Sequence, residues 1–261
     1  MNKEFIKGKL TELAEERDVK IIYACESGSR AWGFSSSDSD YDIRFIYAHT
    51  PRWYLALNSA VAKDTIHYDE ADLDITGWDL KKALYLFYKS NPGFMEWLNS
   101  PIVYTDTYAL TGQLRAWMTE HGYWNKKSAQ YHYFHMAKNN WRNYLQNGHK
   151  VLVKKYLYVV RPMLAVLWIQ ENGTPVPVKF ETLLEAMVEP NTPLYTEIEE
   201  LLRDKRTGKE LSYGEHRPAI DNFVENLISW YDAEGFDGKR QRRSLDLLNV
   251  LFIETLEEVW T

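Results

Sequence analysis

The stretch GSRAWGFSSSDSDYDIRFIY (28–47) decides how the chain is read. Ahead of it, VKIIYAC (19–25) is a run of β-branched and aromatic residues that reads as a buried strand. ESGSRAWGFSSSDSD (26–40) is Gly/Ser-rich turn chemistry. YDIRFIYAH (41–49) then alternates, with Tyr41, Ile43, Phe45 and Tyr47 on one face and Asp42, Arg44 and Ile46 on the other. The pattern is strand, small-residue turn, strand, with acidic residues at the second strand's start.

Each part of that pattern has a chemical use. Gly28 has no Cβ, so backbone can come close to a bulky anion such as a triphosphate. Ser29 adds a hydroxyl and a backbone N–H for phosphate oxygens, and a following helical turn would add its positive end. Asp40 and Asp42, two apart on a strand, are expected to point to the same side with Cα atoms roughly 6–7 Å apart. Two carboxylates so placed suit a hard cation such as Mg²⁺ (or Mn²⁺), which is normally held by one or two carboxylates plus substrate phosphates. ADLDITGW (71–78) supplies a third: Asp72, Asp74 and Thr76 share one face of a predicted strand. Asp74, the more central, is the expected metal ligand and acceptor of a hydroxyl proton, with Asp72 as the alternative.

Further strands are expected at 61–68 and 71–78, and a helix over DLKKALYLFYKS (79–90), stopped by Asn91-Pro92-Gly93. From about 107 onward apolar spacing is helical, in segments near 107–120, 128–147, 150–171, 179–188, 194–206, 216–232 and 243–259. Strands first and helices afterwards imply an α/β or α+β half followed by a helical half. The break falls where Gly122 and Lys126-Lys127 interrupt the pattern, giving expected domains 1–122 and 123–261.

Ten Trp and eighteen Tyr among 261 residues argue for a packed core, and many of those rings must simply fill it. A formal charge of −6 argues against a basic coat for nucleic acid, although a local groove could still be basic. Cys25, the single cysteine, sits in an apolar run and reads as a buried, inert thiol. MNKEFIKGKL has no apolar core of signal-peptide length, and no stretch approaches the roughly 20 apolar residues of a membrane span, so a soluble cytoplasmic protein is expected.

Gly-Ser, ten residues, then Asp-x-Asp with hydrophobic neighbours resembles the signature of the DNA polymerase β-like nucleotidyltransferase superfamily. The longer string 28–47 is similar to YcgL/RlaP-type nucleotidyltransferases, as are DITGWDLKKAL (74–84), KSNPGFMEWLNSPIVY (89–104) and KKYLYVVRPMLAVLWI (154–169). The resemblance implies a small mixed sheet carrying Asp40, Asp42 and Asp74, followed by an all-helical domain that closes over the nucleotide. It implies transfer of a nucleoside monophosphate from an NTP, ATP first, to a hydroxyl acceptor. An RNA end is one candidate acceptor; a protein acceptor, as for an AMP-transferase of a toxin–antitoxin-like pair, and a nucleotide sensor without turnover stand beside it.

Several other residues have two readings. Arg30 either contacts phosphate or pairs with a carboxylate of the site. Arg44, on the Asp42 face, is expected to pair with a metal-bound Asp. Lys150, Lys154, Tyr158 and Arg161 recur at helical spacing. That stripe is either a solvated face or, because it lies in a resembling block, a triphosphate site led by Lys154, with Lys155 or Arg161 assisting. Pro162 is expected to push Arg161 off the stripe. His132, His135, Asn139 and Arg142 read as core or interface polar groups, since no third zinc ligand is spaced to join them. Lys239, Arg240, Arg242 and Arg243 form the densest basic run, a solvated loop or an RNA-backbone contact.

Overall fold

The computed structural model describes residues 2–147, 150–207, 213–236 and 244–261, the side chains of 58 and 60 excepted. The basic run at 239–243 lies outside the described residues. In chain order the elements are α1 (Lys3–Arg17), β1 (Lys20–Glu26), α2 (Gly28–Trp32), β2 (Tyr41–Ala48), α3 (Pro51–Tyr54), β3 (Thr65–Glu70), β4 (Leu73–Asp79), α4 (Leu80–Tyr88), α5 (Pro92–Leu98), β5 (Val103–Asp106), α6 (Leu110–Glu120), α7 (Lys126–Tyr144), β6 (Val151–Leu152), α8 (Lys154–Asn172), α9 (Phe180–Met187), α10 (Pro193–Arg206), β7 (Tyr213–Gly214), α11 (Pro218–Glu234) and α12 (Asp246–Trp260). This is the expected α+β class, with a five-stranded mixed sheet. Among the described residues no helix is long and apolar enough to cross a membrane.

The chain forms two compact units. The first takes Met1–Ala31, Asp40–Tyr123 and Gln241–Thr261; the second takes Trp32–Ser39 and Trp124–Arg240. A division into 1–122 and 123–261 therefore differs from the observed one in two places. The terminal helix α12 packs on α3 and α4 of the first unit, and the loop inside the Gly-Ser…Asp-x-Asp signature belongs to the second.

In the first unit the strand order is β3-β4-β2-β1-β5. The β2–β4 pair is parallel and the rest are antiparallel. One face of the sheet presents Ile43, Phe45, Tyr47, Leu73 and Ile75 to Ile6, Leu10 and Leu13 of α1. Gly77 lies opposite Phe45, and a Cβ there would come within 2.2 Å of the Phe45 ring, so the packing of that ring requires glycine. Helix starts follow side-chain capping: Asn2 accepts the N–H of Phe5, Asp79 that of Lys81, and Asn91 that of Phe94 ahead of Pro92. The helix stop and restart read at Asn91-Pro92 is present. The strand expected over 61–68 runs from Thr65 to Glu70, because the hairpin turns at Ala71, whose φ is 49°, and Asp72.

The second unit is built on α7 against α8, with Tyr133, Phe134, Trp141, Tyr156, Val160 and Met163 at its centre. It is not all-helical. Val151–Leu152 and Tyr213–Gly214 pair as a two-stranded antiparallel ladder, too short to show a period in sequence. Phe34 is buried in this core, its ring edge-on to Phe180 at 5.5 Å.

Candidate active site

The site grows from the ends of β1 and β2, in the first unit. Asp42 and Asp74 are directly in register across the parallel β2–β4 pair, so both carboxylates rise from the face opposite the α1 core. Arg44, two residues along β2, reaches between them: one Nη2 lies 2.9 Å from Asp42 Oδ1 and 2.9 Å from Asp74 Oδ2. The pairing expected of Arg44 is present, and it involves both carboxylates at once. Side-chain exposures of 29% for Asp42 and 34% for Asp74 leave both open to a ligand.

Gly28 stands under Asp42. Its φ is +58°, and a Cβ would sit 2.0 Å from Asp42 Oδ2. Glycine is therefore required by the carboxylate itself, as well as by the left-handed backbone. Ser29, 8% exposed, follows in the first turn of the short α2. Burial pushes the Asp42 carboxyl above the ordinary range; the Arg44 guanidinium draws it back, and the charges of Asp74 and Asp40 push it up again.

Asp40 departs from its expected place. The strand begins at Tyr41, whose N–H donates to Asp72 O at 2.7 Å, so Asp40 precedes the ladder and is exposed. Its carbonyl accepts from Arg30 Nε at 3.2 Å, while the Arg30 guanidinium lies over the Tyr41 ring, 3.6 Å from its centroid. Arg30 thus braces the loop through a carbonyl and a ring. Asp72 lies in the hairpin turn, which leaves Asp74 as the carboxylate beside Asp42.

Among the described residues no group of three or more His, Cys, Asp or Glu is gathered in a geometry that could hold a metal ion. A closed protein cage is therefore absent from them. Two hard carboxylates in register, both part-exposed, fit the other mode, in which Mg²⁺ is shared with substrate phosphates.

Three contributors escaped the sequence. His67 on β3 contacts Thr76 Oγ1 through Nδ1 at 2.9 Å, and that hydroxyl donates to Asp74 Oδ1 at 3.1 Å. Asp69 is in register with Asp74 on β3, extending the acidic row to the sheet edge. Glu26, 1% exposed, accepts the N–H of Asp42 on Oε1 at 2.8 Å and the Tyr104 hydroxyl on Oε2. The strand expected over 61–68 covered His67 and stopped short of Asp69. For Glu26 there was no signal, since charged residues are almost never fully buried unless paired.

The remaining expected residues lie in the second unit. Lys154 and Lys155 open α8, and Lys155 Nζ sits over the rings of Tyr144 and Tyr158. Arg161 is 3% exposed, with its guanidinium 4.3 Å from the Trp32 ring and Nη2 donating to Val178 O. It is a core residue holding Trp32, and the triphosphate role expected of it is withdrawn. α8 runs on through Pro162. Cys25 is fully buried and burial pushes its thiol up to about 12, in line with an inert residue. A cavity of about 680 Å³ lies on the α1 side, lined by Lys7, Leu10, Lys20, Tyr104 and Trp260, away from the carboxylate face.

Comparison with known proteins gives three findings. The model of a family described as "RlaP: RNA repair pathway DNA polymerase beta family" matches residues 2–254. A Bacillus subtilis (strain 168) protein described as uncharacterized protein YcgL is 42% identical over 261 residues, covering 99% of this chain and 98% of that protein. The crystal structure of a nucleotidyltransferase-like protein from Exiguobacterium sibiricum aligns over 98% of this chain and 89% of its own, at 13% identity and a TM-score of 0.30.

Proposed function

Because the chain belongs to the RlaP family of DNA polymerase β-type proteins, we propose that it transfers a nucleoside monophosphate from an NTP, ATP first, to a hydroxyl of an RNA end. The family and the α+β fold suggest a nucleotidyltransferase, and that superfamily generally uses divalent metals. The observation that carries the finer reading is the in-register pair Asp42 and Asp74 beside Gly28, whose missing side chain makes room for the Asp42 carboxylate itself.

In this reading Asp42 and Asp74 hold Mg²⁺ from the protein side, with Asp40 adding negative charge from the loop. The ion would neutralise the triphosphate and polarise the α-phosphorus. The Gly28-Ser29 turn receives the phosphates. The acceptor oxygen attacks the α-phosphorus as its proton passes to Asp74 Oδ1, already oriented by Thr76. A new P–O bond forms, the bond to the bridging oxygen breaks, and pyrophosphate leaves. Positioning and charge neutralisation do most of the work.

The test offers each of the four α-³²P-NTPs with total RNA, in Mg²⁺ or Mn²⁺. Label on RNA and pyrophosphate release are expected, both falling by at least about a hundredfold in Asp42→Asn. Equal labelling by wild type and Asp42→Asn overturns the reading. So does no labelling of RNA by protein that labels another acceptor, which would move the assignment to that acceptor.

A further inference from the structure

Asp42 is held at three points by three consecutive residues. Its N–H donates to the Glu26 carboxylate at 2.8 Å, its carbonyl accepts from Ser27 N–H at 2.8 Å, and its carboxylate rests against Gly28. Both main-chain groups of Asp42 point toward β1, and where that strand ends a side chain takes over from the ladder. Glu26 is itself fixed on every side. Its N–H donates to Ile102 O at 2.9 Å, its carbonyl accepts from Ser100 Oγ at 2.6 Å, and Oε2 takes the Tyr104 hydroxyl.

Burial of a carboxylate is costly, and a leucine of similar volume would fill this place more cheaply if packing were its only purpose. Burial does push the Glu26 carboxyl up, opposed by its bonds from Tyr104 and Asp42 N–H. We infer that Glu26 is a positioning residue: it fixes the backbone of Asp42, and so the aim of the carboxylate that meets the metal and nucleotide, with Tyr104 as its brace. The inference rests on the reading of Asp42 given above. Glu26 acts through Asp42 and, lying on the opposite side of the sheet's start, touches no substrate.

The experiment measures Mn²⁺·nucleotide affinity by electron paramagnetic resonance with α,β-methylene-ATP, and the Asp42 amide by ¹H–¹⁵N spectroscopy without metal. In wild type the Asp42 amide proton is expected far downfield and slow to exchange, as a charge-assisted bond requires. Glu26→Leu should lose both signs and weaken Mn²⁺·nucleotide binding by about tenfold or more, whereas Glu26→Gln, whose amide oxygen still accepts, should stay within about threefold. A folded Glu26→Leu with unchanged affinity overturns the inference, as does Glu26→Gln failing as badly as Glu26→Leu. Should Glu26→Leu not fold, Tyr104→Phe decides: a moved Asp42 amide and weakened binding support the brace, and no change in either overturns it. Wild type that binds no Mn²⁺·nucleotide overturns the reading of the site. The inference about Glu26 is judged separately, by whether the Asp42 amide responds to Glu26→Leu.

Discussion

Asp42 and Asp74 stand side by side on parallel strands and share one nitrogen of Arg44, 2.9 Å from each. The guanidinium therefore offsets, in the metal-free protein, the repulsion that a divalent ion would offset in the loaded one. Arg44→Met is expected to lower stability in chelator by about 1–2 kcal/mol, the buried-pair figure being discounted for partial exposure. It should also enlarge the rise in Tm on adding MnCl₂, because the cation then restores what the arginine supplied. Thermal melts with and without Mn²⁺ decide; equal Mn²⁺ shifts in both proteins would contradict the account.

Gly28→Ala places a methyl 2.0 Å from Asp42 Oδ2 at a φ of +58°. Backbone strain and displacement of the carboxylate act together, so a loss of about 1–3 kcal/mol is expected from urea unfolding. Mn²⁺·nucleotide affinity should fall in the same variant. Unchanged affinity would mean that the carboxylate does not depend on that space.

Asp79 gives a pH signature away from the Asp42–Asp74 pair. It is buried, caps α4 through Lys81 N–H and accepts the Tyr54 hydroxyl. Burial raises its folded-state pKa above the ordinary value, despite both bonds. The folded protein thus holds a proton longer than the unfolded chain, and stability falls as pH rises from about 3.9 through the higher folded value. Asp79→Asn keeps one oxygen to accept the Lys81 N–H, turns the Tyr54 hydroxyl from donor to acceptor of the new amide N–H, and removes the titration. Denaturation across acid to neutral pH should show wild type losing stability relative to Asp79→Asn as pH rises; a constant difference would refute it.

Phe34 sits 2% exposed in the second unit's core, edge-on to Phe180. Phe34→Ala should destabilise that unit by about 3–5 kcal/mol, read as a shift of the urea midpoint. A loss under about 1 kcal/mol would show that the ring contributes little to this core.

Much of the site was legible because its chemistry is local. The alternation of 41–49 put Asp42 and Arg44 on one face, and the same period in 71–78 put Asp74 on a second strand; the parallel register then joined them. What stayed hidden depends on contacts far apart in sequence. Arg161 looked like a member of an exposed stripe because helical spacing gives angles around an axis, and nothing in that spacing shows that Trp32 covers it. Glu26 opened the Gly/Ser-rich turn segment in sequence, whereas it ends β1 and meets its partner Tyr104 78 residues away. Asp40 was read into the strand because period two carries on in sequence past the point where the ladder begins. The short pairs β5 and β6–β7 offer too few residues for any period to emerge.

The signature loop has a mechanical corollary. The chain leaves the first unit after Ala31, threads Trp32–Ser39 into the second, and returns at Asp40 before leaving again after Tyr123. The bodies are thus stitched together through the signature itself, and no single peptide bond separates them. Truncation after Gly122 would keep both sheet carboxylates yet strip Phe34 of Phe180 and remove α12 from α3 and α4. Neither body can be cut free whole, so dissection of this protein has to proceed by substitution rather than by scissors.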